Sequence, residues 1–147
     1  MKDKSDIIVH IDGGSRGNPG PAALGVVIQG VGRVREYSEF LGEATNNEAE
    51  YQALIFALRK VRSLKGKERI KEKSIEIRSD SELLVKQVEG KFKIEEPRIQ
   101  KLFLMFWNIK IDFPSLIFRL IPRRDNAHAD QLVNSKLDEQ SSRLPGL

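Results

Sequence analysis

The chain has no cysteine among its 147 residues, which excludes disulfides, thiolate metal sites and a cysteine nucleophile, and nothing argues for an oxidising compartment. It also lacks an apolar run long enough to cross a membrane, and the stretch after Met1-Lys2-Asp3-Lys4-Ser5-Asp6 is too short for a signal peptide. A cytoplasmic protein without a membrane partner is therefore expected. Internal repeats and interdomain linkers are missing as well, so one domain over residues 1–147 is expected, with loose ends at 1–6 and 141–147. Neither sign of charge dominates: 25 Lys and Arg against 21 Asp and Glu give +4, a mild bias toward polyanionic partners. Nothing indicates a protein partner, and a monomer is expected. What remains, 39% hydrophobic and 31% charged, is ordinary for a soluble globular chain with one sizeable core.

Periodicity divides the chain into alternating elements. Ile7-Ile8-Val9-His10-Ile11 is a β-branched run that ends at Asp12 and enters a glycine-rich turn. Residues 22–29 and 33–41 read as two further strands joined by short turns, which makes an antiparallel meander. The period then changes. Over residues 48–64 Ala53, Leu54, Ala57, Leu58, Val61 and Leu64 recur at helical spacing, with Thr45-Asn46-Asn47 in front as capping side chains. Residues 74–80 form a short strand, 81–88 a helix, 98–110 another helix opened by Pro97, 115–121 a fifth strand and 126–140 a last helix. A strand, helix, strand connection of this length implies a right-handed crossover and parallel neighbours. The predicted fold class is α/β: a five-stranded mixed sheet, three antiparallel strands continued by two parallel ones, with helices on both faces.

Within that order the acids stand out by position. Asp12 ends the first strand and Asp80 the fourth, so if those strands are parallel neighbours both carboxylates emerge at one edge of the sheet. Taken alone, Asp12 is equally well read as a turn residue bonding its own backbone, and Asp80 as the cap of the helix that follows. In the long helix each residue advances about 100°, so Glu50 lines up with Leu54, Ala57 and Val61 and points toward the sheet. Glu48 lines up with Gln52, Ile55 and Arg59 and suits the helix dipole instead. Asp130, one turn into the last helix, shares a side with Val133 and Leu137. Asp125 and Asp138 have no such neighbours and read as solvated. Carboxylates converging without matching Lys or Arg repel one another, and hard divalent cations relieve this. Oxygen ligands suit Mg²⁺ or Mn²⁺, and two such ions about 4 Å apart serve in-line phosphoryl displacement by water.

The sequence resembles the type 1 ribonuclease H family over about residues 7–137. Four motifs carry the resemblance in order: Asp12-Gly13-Gly14-Ser15-Arg16-Gly17-Asn18-Pro19-Gly20, Thr45-Asn46-Asn47-Glu48-Ala49-Glu50-Tyr51, Ser79-Asp80-Ser81-Glu82-Leu83-Leu84-Val85, and Ile121-Pro122-Arg123-Arg124-Asp125-Asn126-Ala127-His128-Ala129-Asp130. The resemblance implies an RNase H-like fold and endonucleolytic hydrolysis of the RNA strand of an RNA–DNA hybrid, leaving 5′-phosphate and 3′-hydroxyl ends. It implies that Asp12, Glu50, Asp80 and Asp130 hold two Mg²⁺ ions, with Mn²⁺ as a substitute, and that Gly13, Gly14, Asn18, Asn46 and Asn47 contact the hybrid. Turn formation and helix capping are the competing roles for the three asparagines. A broader nuclease of this fold, cutting double-stranded RNA or DNA, and a non-catalytic nucleic-acid-binding module are the alternatives.

The chain departs from the family pattern in several places. Many members carry a basic, tryptophan-rich protrusion where Lys91-Phe92-Lys93-Ile94-Glu95-Glu96 here leads straight to one helix, and many have Gln where Glu82 stands. The histidine that assists turnover in some members is absent from Pro122-Arg123-Arg124, and Arg123 is the candidate to take its place at a phosphate or the departing product. His128 lies on the helix itself and His10 inside a strand, where a structural role is expected.

Overall fold

The computed structural model describes residues 5–143. Its first three strands, β1 (Ile7–Ser15), β2 (Gly20–Gln29) and β3 (Arg35–Ala44), form the expected antiparallel meander. The helices α1 (Asn46–Lys65) and α2 (Lys67–Ile70) lead to β4 (Ile75–Ser79), which pairs with β1 in parallel, Ile7 opposite Ile75 and Val9 opposite Ile77. Two helices follow, α3 (Glu82–Val88) and α4 (Pro97–Lys110), then β5 (Leu116–Leu120) parallel to β4. A 3-10 turn, Arg123–Asn126, opens α5 (Ala127–Arg143). The five-stranded mixed sheet has the order β3-β2-β1-β4-β5.

The two faces of the sheet are covered by different helices. Ile7, Val9, Ile11, Leu24, Val26, Ile28, Ile75 and Ile77 bury one face against Leu54, Ala57, Leu58 and Val61 of α1, with Ile99, Phe106 and Ile109 of α4 completing the cluster. On the other face Ala23 packs with Val133 and Leu137 of α5. Gly25 makes that contact possible, because a Cβ there would overlap the carbonyl oxygen of Ala129 and lie 3.1 Å from Leu132 Cβ. No helix among the described residues is long and apolar enough to cross a membrane.

Local signals explain most boundaries. Thr45 caps α1 with a reciprocal pair of bonds: its Oγ1 accepts from the Glu48 N–H at 3.1 Å, and Glu48 Oε1 accepts from the Thr45 N–H at 2.8 Å. Glu48 thus closes a capping box as well as lying in the first turn. Several boundaries differ from the sequence expectation, the start of β2 at Gly20 rather than 22 and the unexpected helix α2 among them. β1 does not end at Asp12 but pairs with β2 as far as Ser15 opposite Ala22, so Gly13 and Gly14 are strand residues and the chain turns only at 16–19. Glycine read as a turn signal here marks a close approach of backbone, the other reason a strand carries it. β3 spans 35–44 rather than 33–41, because its largely exposed face gives little periodicity at the ends. Of the ends expected to be loose, 141–143 continue α5, and Ser5 and Asp6 are fastened to β4: Ser5 Oγ donates to Glu76 at 3.1 Å and Asp6 Oδ2 accepts from the Ser74 N–H at 2.9 Å. The remainder of those expectations, 1–4 and 144–147, lies outside the described residues.

Glu76, 4% exposed in the middle of β4, is met by Arg78 Nε at 2.5 Å and Arg119 Nε at 2.9 Å. Burial pulls its pKa upward, but bonds from Arg78, Arg119 and Ser5 outweigh it and hold the carboxyl below its ordinary value. Paired in this way, a buried charge is tolerated between the core residues Ile75 and Ile77.

Candidate active site

The parallel pairing of β1 with β4 sets the site. Strands running the same way finish at the same edge, and Asp12 and Asp80 reach that edge from neighbouring strands. Helix α1 starts beside it and presents Glu50 in its second turn, with the Gly13 N–H donating to Glu50 Oε1 at 3.0 Å. Gly13 is required for this approach: a Cβ on it would overlap the carbonyl group of Ala49 and lie 2.6 Å from Glu50 N. Oxygen atoms of Asp12, Glu50 and Asp80 all fall within 4.8 Å of one another. Asp130, on the first turn of α5, lines the same cavity, and its charge acts on the Asp12 carboxyl. The alternative roles recede on this geometry. The helix after Asp80 is capped by Ser81, whose Oγ accepts from the Leu84 N–H at 3.1 Å, and Asp12 lies within a strand, not a turn.

Burial and mutual repulsion govern the protonation of these groups. Asp12, 7% exposed, has its pKa pushed up to about 8, first by burial and then by the charges of Asp80 and Asp130. Glu50 is held well above its ordinary value by burial and by Asp12 and Asp80, against the Gly13 N–H and the Arg123 guanidinium. Asp80 is raised by burial, with Asn126 and Arg123 opposing. A carboxyl whose folded pKa is raised stabilises the fold below the unfolded value and loses that contribution as pH rises to the folded one. The metal-free protein is accordingly expected to melt at progressively lower temperature as the pH is raised from about 4 to about 8. Mg²⁺ or Mn²⁺ added at the upper end should restore the loss, which thermal melts across pH with and without metal will show.

Asn126 is a member of the site that the sequence did not single out. It is 1% exposed, and its Nδ2 donates to the Ile11 carbonyl at 2.8 Å and to Asp80 Oδ2 at 3.4 Å. Both partners are acceptors, so the orientation of the amide is determined. Its Oδ1 is buried without a partner. One side chain thus ties the strand carrying Asp12 to Asp80 and to the start of α5. The only sequence signal for it was its place at a helix start, where a cap is the ordinary reading. Asn126→Leu keeps the branched outline of the side chain and removes the donor, so melting should report a loss of about 1–3 kcal/mol, and activity a fall of about 10- to 100-fold.

The remaining candidates are distributed around the carboxylates. Arg123, Gly13, Gly14 and Asn46 line the same cavity. Asn18 Oδ1 accepts from the Asn46 N–H at 2.9 Å, and Asn46 Oδ1 accepts from the Ser15 N–H at 2.9 Å, so these two asparagines fasten the β1–β2 turn to the head of α1. Asn47 Oδ1 is buried without a partner, and Asn47 and Asn18 line an adjacent cavity together with Gln87 and Lys93. His128 is turned to Glu36 at 2.6 Å, and His10 has a lowered pKa from burial and then from Arg78 and His128. The site therefore offers hard oxygen donors in excess of cations, a donor set that fits Mg²⁺ or Mn²⁺.

Similarity to known proteins agrees with this geometry. A family model described as reverse transcriptase-like matches residues 10–136. The solved structure of LC11-RNase H1 in complex with an RNA/DNA hybrid is 44% identical, with 91% of this chain and 98% of that one covered and a TM-score of 0.84. Ribonuclease HI of Halobacterium salinarum is 38% identical over 132 residues, 88% of this chain and 63% of that protein. A bifunctional protein of Mycobacterium tuberculosis is 34% identical over 135 residues, 90% of this chain and 35% of that protein. The chain thus spans about a third of the mycobacterial relative and just under two thirds of the halobacterial one.

Proposed function

The chain belongs to the type 1 ribonuclease H family, and from that premise we propose that it hydrolyses the RNA strand of RNA–DNA hybrids in a divalent-metal-dependent reaction leaving 5′-phosphate and 3′-hydroxyl ends. The observation that carries this reading is the convergence of Asp12, Glu50 and Asp80 oxygens within 4.8 Å, with Asp130 lining the same cavity, on the scaffold of that family. Asp12, Glu50, Asp80 and Asp130 would hold two Mg²⁺ ions, or Mn²⁺ in their place, which supply Lewis-acid charge to the attacking and leaving oxygens of an in-line displacement.

The protein's own groups provide position and charge. The Gly13 N–H holds one oxygen of Glu50, and the Asn126 amide holds one oxygen of Asp80, leaving the other oxygens to the cavity. Arg123 opposes the upward pKa shifts of Glu50 and Asp80 and so keeps both nearer to ionised. Its guanidinium is the group proposed to meet a phosphate of the substrate or departing product. Gly13, Gly14, Asn18, Asn46 and Asn47 are the proposed hybrid contacts, since backbone and amide groups suit the sensing of 2′-hydroxyls on one strand. Arg123→Ala is expected to lower turnover about 10- to 100-fold, the worth of one charge-assisted hydrogen bond. Arg123→Lys should recover part of it, because charge is kept and the planar fork is lost. Steady-state kinetics on a labelled hybrid will check both.

The deciding assay presents hybrid, double-stranded RNA and double-stranded DNA side by side, with and without Mg²⁺ or Mn²⁺. Cleavage confined to the RNA strand of the hybrid and dependent on metal is expected. Metal-independent cleavage would overturn the mechanism, and equal cutting of double-stranded RNA would overturn the substrate assignment.

A further inference from the structure

Arg16 stands at the rim of the carboxylate cavity and lines it together with Asn134 and Leu137 of α5. Its backbone is set by the turn, where the Arg16 N–H donates to the Pro21 carbonyl at 2.8 Å. Its guanidinium is turned away from the acids at the centre. Nη2 meets Asp138 Oδ1 at 2.7 Å and donates to the Asn134 carbonyl at 3.4 Å. Arg123, not Arg16, is the cation whose field reaches Glu50 and Asp80. The two arginines of the cavity therefore divide: one faces the carboxylates, and the other is held at the edge by an acid with no contact to them.

That acid is poorly placed for a structural bond. The side chains of Arg16 and Asp138 are 43% and 71% exposed, and an ion pair this open to water contributes little to stability. The pair is therefore easily exchanged. A guanidinium already fixed at its backbone and facing a groove can trade one carboxylate for a phosphodiester with two well-oriented N–H groups and little added ordering. Asp130, Asn134 and Asp138 recur every four residues along α5, so the row that begins at the metal-binding carboxylates ends at the acid holding Arg16. A strand laid across the cavity with one phosphate at the carboxylates would pass Arg16 along this row.

We propose that Arg16 binds a backbone phosphate of the strand being cut, beside the scissile position, and that Asp138 occupies its guanidinium until the phosphate displaces it. This rests on the reading of the cavity as a hybrid-binding site. A clasp that merely pinned α5 to the β1–β2 turn would make both residues helpful to binding. An exchangeable pair makes them opposed: Arg16 aids the substrate and Asp138 competes with it.

The test measures binding of a short fluorescent RNA–DNA hybrid by anisotropy at several salt concentrations with Mg²⁺ present, in an Asp80→Asn background so that no turnover intervenes. Arg16→Ala should raise Kd about five- to tenfold and reduce the salt slope by about one, the signature of one lost phosphate contact. Arg16→Lys should fall between. Asp138→Asn should lower Kd about two- to threefold, and combined with Arg16→Ala it should have no further effect. Melting curves of each variant confirm the fold. Weaker binding by Asp138→Asn, or the same tightening with Arg16 absent, would overturn the proposal, the first showing a structural clasp and the second a general field effect. Unchanged binding by a folded Arg16→Ala would overturn it as well. A parent protein that binds no hybrid would overturn the reading of the cavity itself, and this proposal with it.

Discussion

Asp80→Asn is expected to reduce cleavage of the RNA strand of a hybrid about a thousandfold or more, and at the same time to make the metal-free protein more stable. The first effect follows from the proposed role of the carboxylate. Asn keeps the shape of the side chain and removes its charge, and losing a ligand that holds a catalytic metal forfeits several kcal/mol of transition-state stabilisation, where each ~1.4 kcal/mol is tenfold in rate. The second follows from the electrostatics of the free site. The charge of Asp80 is a cause of the raised pKa of both Asp12 and Glu50. Neutralising it relieves a repulsion within a buried cluster, and the Asn126 amide can still donate to an Asn oxygen. A gain of about 1 kcal/mol, or a few degrees in Tm at pH 8, is the expected size. Both readouts belong to one experiment: hydrolysis of a labelled hybrid and a thermal melt without metal. Full activity in this variant would sink the mechanism, and a lower Tm would mean that Asp80 is a structural ligand of its neighbours rather than a strained member of a metal site.

The second large effect concerns stability. Gly13→Ala places a methyl group where the backbone of α1 already stands, overlapping the Ala49 carbonyl and 2.6 Å from Glu50 N. Neither neighbour is a flexible side chain that can rotate away, so the helix or the strand must move. Overpacking of this kind costs about 1–3 kcal/mol and occasionally more, and contact with backbone puts this position at the upper end. A fall in Tm of about 6–12 °C is expected for a chain of this length. Activity should fall beyond what instability explains, because the displaced segment carries Glu50 and its bond from the Gly13 N–H. The melt and the rate of the folded fraction at low temperature will check it. Gly14→Ala is the control on the adjacent residue: its Cβ would make only an ordinary contact with Val133 at 3.5 Å, and near-normal stability is expected.

These two glycines show where sequence reading stopped. Beside Asp12 they suggested a turn that leaves room for a substrate backbone. The structure keeps them in a strand, and gives the missing Cβ of Gly13 to the first turns of α1. A substrate contact through either remains part of the proposed function. Glu50, by contrast, was legible in advance, because its choice over Glu48 needed only the angular spacing of a helix whose apolar face is known. Arg123 was placed at the site by the resemblance, and the structure adds the charges it acts on. Asp138, read as a solvated acid without apolar neighbours, is exposed, but it is bound to Arg16.

By itself the sequence determined the alternation of strands and helices, the mixed sheet, and the inward faces of Glu50 and Asp130. All of these follow from periodicity and connection handedness, which are properties of neighbouring residues and of short crossovers. Tertiary structure alone decided the reach of β1 to Ser15, the donor that Asn126 extends to Ile11 across 115 positions, the contact of Arg16 with Asn134 across 118, and the raised pKa of the buried acids. Bonds from a side chain to a backbone carbonyl so far along the chain, and the desolvation that shifts a carboxyl, exist only once separate elements have packed. No pattern within a single element records them.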